Sequence, residues 1–207
     1  DMLDRSYQIK ELRTLFDKKD FDVIVGRGAF PLTPLSACLL LRLSEKIAQN
    51  ERTLFTFLTG KDIYSLATYV EKCHDVEFVG APLIYDYFSQ LLADEKDMSV
   101  HREWVNTEHA IEKTENEDAR KILKTIAVIR MINRPDDISA NDEFLYLATG
   151  LEKGRCENAI DILRKEKLIL LKENTNSYDF QDSIGIDLQG VVSDCVKKQF
   201  TNINVPD

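Results

Sequence analysis

Residues 121–182 restrict the fold of this chain more than any other stretch: three helical patterns run directly into two extended segments joined by a polar turn. From Lys121 to Ile132, the residues Ile122, Ile126, Ile129 and Ile132 recur at the spacing of one helix face. Asn133 and then Pro135 stop that pattern. Asn141 to Thr149 reads as a second helix, opening after Ser139 and closing at Gly150, a residue that readily takes the left-handed backbone needed at a helix end. A third helix, from about Gly154 to Lys167, turns Cys156, Ala159, Ile160 and Leu163 inward. Leu168 to Glu173 then changes period, and Asn174 to Ser177 turn the chain into Tyr178 to Phe180, which predicts a β-hairpin.

Three helices closed by a hairpin are the layout of a winged helix, a unit that binds DNA or relays contacts between domains and rarely does chemistry. At 207 residues the chain holds one large or two small domains, and 43% apolar with 30% charged residues is the composition of a folded, soluble protein. A formal charge of -9 disfavours nonspecific attraction to nucleic acid, which rests on lysine and arginine displacing counterions. Cys38, Cys73, Cys156 and Cys195 are far apart, as reduced structural thiols of a cytoplasmic protein would be. The most apolar run, Leu35 to Leu43, contains Arg42 and is about half of the ~20 residues a membrane span needs. No membrane partner is expected.

Upstream, residues 5–18 read as an amphipathic helix with Ile9, Leu12, Leu15 and Phe16 on one side, and Phe21 to Val25 as a short strand ended by Gly26-Arg27-Gly28. Helices dominate residues 33–120. Thr33 with Pro34 opens one that runs to about Ala48; Glu51 to Leu58 closes at Gly60; Asp62 to Cys73 turns Ile63, Leu66, Tyr69 and Val70 inward. Val76 to Val79 is extended, Pro82 opens the next helix, and Ser99 to about Thr114 forms a more polar one before a cap at Asn116. Tyr85, Tyr87 and Phe88 crowd every side of their helix, so one ring is expected to reach beyond the local core.

Catalytic signatures fail when tested. Gly60-Lys61 is followed by Asp62 and lacks the glycine five residues earlier that a phosphate-cradling loop requires. Gly26-Arg27-Gly28 is a turn, since the third glycine of a dinucleotide fingerprint is replaced by Pro31. His74, His101 and His109 make no zinc set, so no metal site is expected. Glu112, Glu115, Glu117 and Asp118 form a solvated charge run, and no nucleophile elbow is present. No catalytic residue is assigned.

Two blocks carry a family resemblance: Phe30-Pro31-Leu32-Thr33-Pro34-Leu35, and Gln49 to Leu58. They resemble the region just after the nucleotide-binding core in large bacterial P-loop ATPases of the AAA+/STAND type. The first block is similar to the Pro-Leu element that starts the helical lid, and a winged helix follows that lid in the same order. The fold the resemblance implies is mainly α: a helical lid-like bundle, then a winged helix with a small β-hairpin. Residues 1–30 become the tail of a preceding α/β ATPase core or an N-terminal cap, 31–120 the bundle, 121–182 the winged helix and 183–207 a C-terminal helix and tail. The Walker segments lie before the lid in that family and are absent from this chain, so it is not expected to be an enzyme or to hold a cofactor by itself; ATP or ADP would bind the parent protein. The start at Asp1-Met2, straight into a helical pattern, fits a chain that begins inside a longer protein.

By the same resemblance Pro31 and Leu32 would pack on the adenine ring, and Arg42 or Arg52 would sense phosphate. The preceding core in cis, or another protein domain, is the expected partner. The rival function is a DNA-binding winged-helix transcriptional regulator, with residues 33–120 sensing a ligand. Its reading residues would be Arg155, Asn158, Arg164 and Lys165 on the third helix. Glu157 and Asp161 share that region and the turn at 174–177 carries no positive charge, which ranks protein contact ahead of DNA contact.

Overall fold

A computed structural model of the chain describes residues 2–47, 51–73 and 78–181, apart from the side chains of 51 and 52. Among these residues the protein is mainly helical, with one two-stranded antiparallel sheet. Its N-terminal part departs from the sequence reading twice. Residues 5–18 form no continuous helix: α1 (Met2–Tyr7) and α2 (Lys10–Leu15) are separated at Ile9, which takes an extended backbone. The break lets Ile9 and Leu12 enter the core together, and it leaves Leu15 outside.

Phe21 to Val25 is not a strand. The short α3 (Lys18–Asp20) runs into a π-helical segment, Phe21–Arg27, closed by the Gly28 amide donating to the Val23 carbonyl at 3.1 Å. Phe21 and Val25 are buried, whereas Val23 is 52% exposed; a strand would have put all three on one face. No described strand lies alongside to satisfy an extended backbone there, and helical bonding does so instead.

The next helix starts where the sequence predicts. Thr33 Oγ1 accepts from the Ser36 amide at 3.1 Å, Pro34 fills the first turn, and α4 (Pro34–Ile47) buries Leu35, Leu39, Leu43 and Ile47. α5 (Glu51–Thr59) closes at Gly60, whose amide donates to the Thr56 carbonyl. The predicted helix from Asp62 is shorter in the structure. Asp62 Oδ1 takes the Tyr64 amide in a local turn, and the Ser65 hydroxyl then caps α6 (Leu66–Lys72). Ile63 and Val70, expected inward, are exposed, whereas Leu66 is buried and Tyr69 packs partly buried against the core. Of the extended piece Val76 to Val79, residues 76 and 77 lie outside the described residues; Val79 bridges Leu32 in parallel.

α7 (Ala81–Ala93) buries Tyr85 and Phe88, while Tyr87 is half-buried with its ring 5.1 Å from that of Phe57. α8 (Met98–Lys113) follows. Asn116 Oδ1 accepts from the Ala119 amide at 2.8 Å and caps α9 (Glu117–Ile132), which starts ahead of its apolar stripe. Asn141 caps α10 (Asp142–Thr149), and Gly150, at φ +76°, ends it. Then come α11 (Lys153–Lys165), β1 (Ile169–Lys172) and β2 (Ser177–Phe180), with Ile169 opposite Phe180 and Lys172 opposite Ser177. The helix expected beyond 183 lies outside the described residues.

α9 holds these parts together. It packs against α4, α7 and α8 on the bundle side and against α10 and α11 on the other, and its residues Ile122, Leu123, Ile126, Ala127, Val128 and Ile129 are all buried. A single apolar cluster continues from Ile9 to Phe180. The two halves also meet backbone to backbone: a Cβ on Gly80 would overlap the Thr149 carbonyl, and the Ser36 hydroxyl donates to the Ala148 carbonyl at 2.8 Å.

Candidate functional site

Local hydrogen bonding fixes the Pro-Leu element. The Val79 amide donates to the Pro31 carbonyl at 2.8 Å, the Thr33 amide donates to the Val79 carbonyl at 2.9 Å, and the Phe30-Pro31 peptide is cis. Leu32 is buried and Pro31 is half-buried. Beside them Phe30 and Phe78 meet edge to face, their centroids 5.9 Å apart, with both rings exposed. Arg42 is not brought to this element. It lies eight residues along α4 from Pro34, roughly 12 Å by helical rise, and its Nε donates to the buried Glu11 carboxylate at 2.7 Å. Nη1 donates to Glu45 at 3.1 Å. The Glu11 and Glu45 carboxylates raise the Arg42 pKa further despite partial burial, so the guanidinium joins α2 to α4 as a fixed cation. Arg52 sits in the first turn of α5, and its side chain lies outside the described residues.

On α11 the four candidate contact residues are all exposed, but their charges are differently committed. Arg155 forms a two-pronged bond to Asp118 on α9, at 2.8 and 2.7 Å. Arg164 lies 3.9 Å from Asp161 on its own helix. Asn158 and Lys165 point to solvent. The face can offer hydrogen-bond donors to a partner, with Glu157 and Asp161 interspersed among them.

A more deeply set polar cluster was not foreseen. Glu103 on α8, 5% exposed, receives Arg130 of α9 through Nε and Nη2 at 2.7 and 2.9 Å, and Arg130 Nη2 also reaches Asp179 of β2 at 2.8 Å. Lys172 of β1 completes the set by pairing with Asp179. Burial works against charge on Arg130, but Glu103 and Asp179 outweigh it and raise its pKa. Elsewhere burial raises the pKa of Asp86, an effect that Lys124 at 2.6 Å only partly offsets. The Tyr85 phenol is pushed up by burial and by donating to Glu108 at 2.7 Å. Among the described residues no group of histidine, cysteine and carboxylate side chains could hold a metal ion.

Periodicity could not have revealed the Glu103, Arg130 and Asp179 cluster, because its members come from three elements far apart in sequence and a charged residue on a helix reads as solvated by default. No protein-family model, curated protein or solved structure matches the chain. Among the described residues no helix is long and apolar enough to cross a membrane.

Proposed function

We propose that this chain is a noncatalytic regulatory and interaction segment of a bacterial AAA+/STAND-like ATPase, in which residues 31–120 act as the helical lid and α9 to β2 as a winged helix. The observation that carries the reading is the position of α9, which packs on bundle helices and on α10 and α11 at once. A rigid helix shared by both parts transmits a reorientation of one to the other without a hinge between them. The hydrogen bond from the Tyr178 amide to the Ala140 carbonyl, 2.8 Å, supports the winged-helix assignment, because it lays the segment before α10 along β2 as a short third strand would lie. With Arg42 held by Glu11, its role in this reading is to fix α2 against the lid, and contact with the nucleotide falls to Pro31 and Arg52, since Leu32 is buried in the core. The DNA-binding alternative is weakened by the commitment of Arg155 to Asp118.

The test is a pair of spin-label distances in the parent protein. Labels at Leu41 and Asn174 report within the segment, and a third label in the preceding core reports its orientation. Exchange of ATP for ADP is expected to change the core-to-segment distance and leave the internal one constant. A shift of the internal distance, or ATP hydrolysis by the 207-residue chain alone, contradicts the proposal.

A further inference from the structure

We propose that the groove between α8, α9 and the hairpin is a binding site for a small phosphoryl anion, such as inorganic pyrophosphate or the phosphate end of a larger ester. The groove has a volume of about 240 Å³ and is lined by Arg102, Arg130, Arg134 and Lys172, with Glu103 as the only carboxylate in its wall among the described residues. This concentration of cations stands in a chain of net charge -9. Glu103 and Asp179 balance the charges of Arg130 and Lys172, so the net attraction for an anion comes from Arg102 and Arg134.

Donor capacity remains. Arg102 has no ion pair among the described residues, and Arg130 uses Nε and Nη2 while keeping Nη1 free. Arg134 makes one long contact, 3.4 Å to Glu11, and its side chain is 46% exposed. The Ser139 hydroxyl accepts from Asn141 at 2.9 Å, which leaves its own O–H to donate into the groove. Several guanidinium groups that reach one small volume suit an oxyanion carrying two or more charges, since each offers paired N–H groups to its oxygens. The volume is below the roughly 300–1,000 Å³ of pockets that enclose drug-sized ligands, so the anion alone, and not an attached base or ring, occupies it. The inference is independent of the relay proposed above: it needs only this groove. Bound there, the anion would bridge the bundle helix α8 and the hairpin.

Titration calorimetry with sodium pyrophosphate at low ionic strength tests it on the full chain. Wild type and a remote control, Lys61→Gln, are expected to bind alike. The double variant Arg102→Gln/Arg134→Gln, shown folded by circular dichroism, is expected to bind about tenfold more weakly or worse, the loss of two charge-assisted contacts. Absence of binding to wild type, or equal binding by the double variant, overturns the proposal. A short DNA duplex that binds where pyrophosphate does not would make the groove a nucleic-acid contact and overturn it too.

Discussion

Removing the Arg130 guanidinium would strand Glu103, which is 5% exposed, and leave Asp179, 9% exposed, with Lys172 alone. Breaking a buried pair by deleting one partner costs about 3–5 kcal/mol, because the remaining charge has lost its solvent and its counterion together. Arg130→Ala is accordingly expected to lower the urea midpoint by an amount in that range, and adding Glu103→Gln to recover part of the loss. An Arg130→Ala protein as stable as wild type would show that Lys172 and solvent suffice for Asp179 and Glu103. Thiol chemistry gives a second residue-level expectation. Burial pushes the Cys38 thiol up to about 12 from the ordinary 9.0, and that of Cys156 up to about 11, whereas Cys73 is exposed. At pH 8 iodoacetamide should modify Cys73 in the native chain and reach Cys38 and Cys156 only after unfolding, as mapped by peptide mass spectrometry. The sign of the pH effect follows. Between 9.0 and about 12 the native state keeps the Cys38 proton that the unfolded state releases, so stability falls as pH rises through that window. Cys38→Ala should flatten that part of the stability profile.

Among the elements, the junction of α10 with the strand-like segment at Val79 is the least tolerant of added atoms. Gly150 sits at φ +76°, and a Cβ there would come within 2.6 Å of the Phe78 carbonyl oxygen. Gly150→Ala should cost roughly 1–3 kcal/mol, the range for a non-glycine residue held in the left-handed region, measured by chemical denaturation. A neutral effect would mean that the loop before Gly80 gives way easily. Gly150 was readable as a helix end from sequence because capping acts within a few residues, and the same locality made the caps at Thr33 and Asn116 and the hairpin at 169–180 legible. What sequence misassigned depended on neighbours. Phe21 to Val25 has the composition of a strand, but the core receives Phe21 and Val25 at helical spacing and no described strand lies beside them. Ile63 looked like a helix residue until the side chains of Asp62 and Ser65 captured the local amides. The groove cations Arg102, Arg130, Arg134 and Lys172 share no period, and only the packing of α8 and the hairpin on α9 brings them together.

At the scale of the molecule, the proposed relay requires the bundle and the α10 to β2 part to move as one body. The shared helix α9 and the apolar cluster running from Ile9 to Phe180 make that a statement about cooperativity. If α9 unfolds, both parts lose the surface they are built on, so neither should persist alone. Trp104, the single tryptophan, lies on α8 with its Nε1 donating to the Ser89 hydroxyl at 3.3 Å, and it reports on the bundle side. A fluorophore on an Asn174→Cys variant reports on the hairpin side, with Cys73 and Cys195 replaced by serine so that the label goes to the turn. Urea unfolding followed by tryptophan fluorescence, by the hairpin label and by far-ultraviolet circular dichroism should give coincident midpoints. A hairpin transition at clearly lower urea, with the tryptophan signal intact, would divide the chain into two independently stable units. In that case α9 would belong to the bundle alone, and motion of the bundle would reach the hairpin only through a deformable joint. Coincidence in wild type that splits in Gly80→Ala would locate the coupling at the backbone crossing between Gly80 and Thr149, where the added methyl has no room.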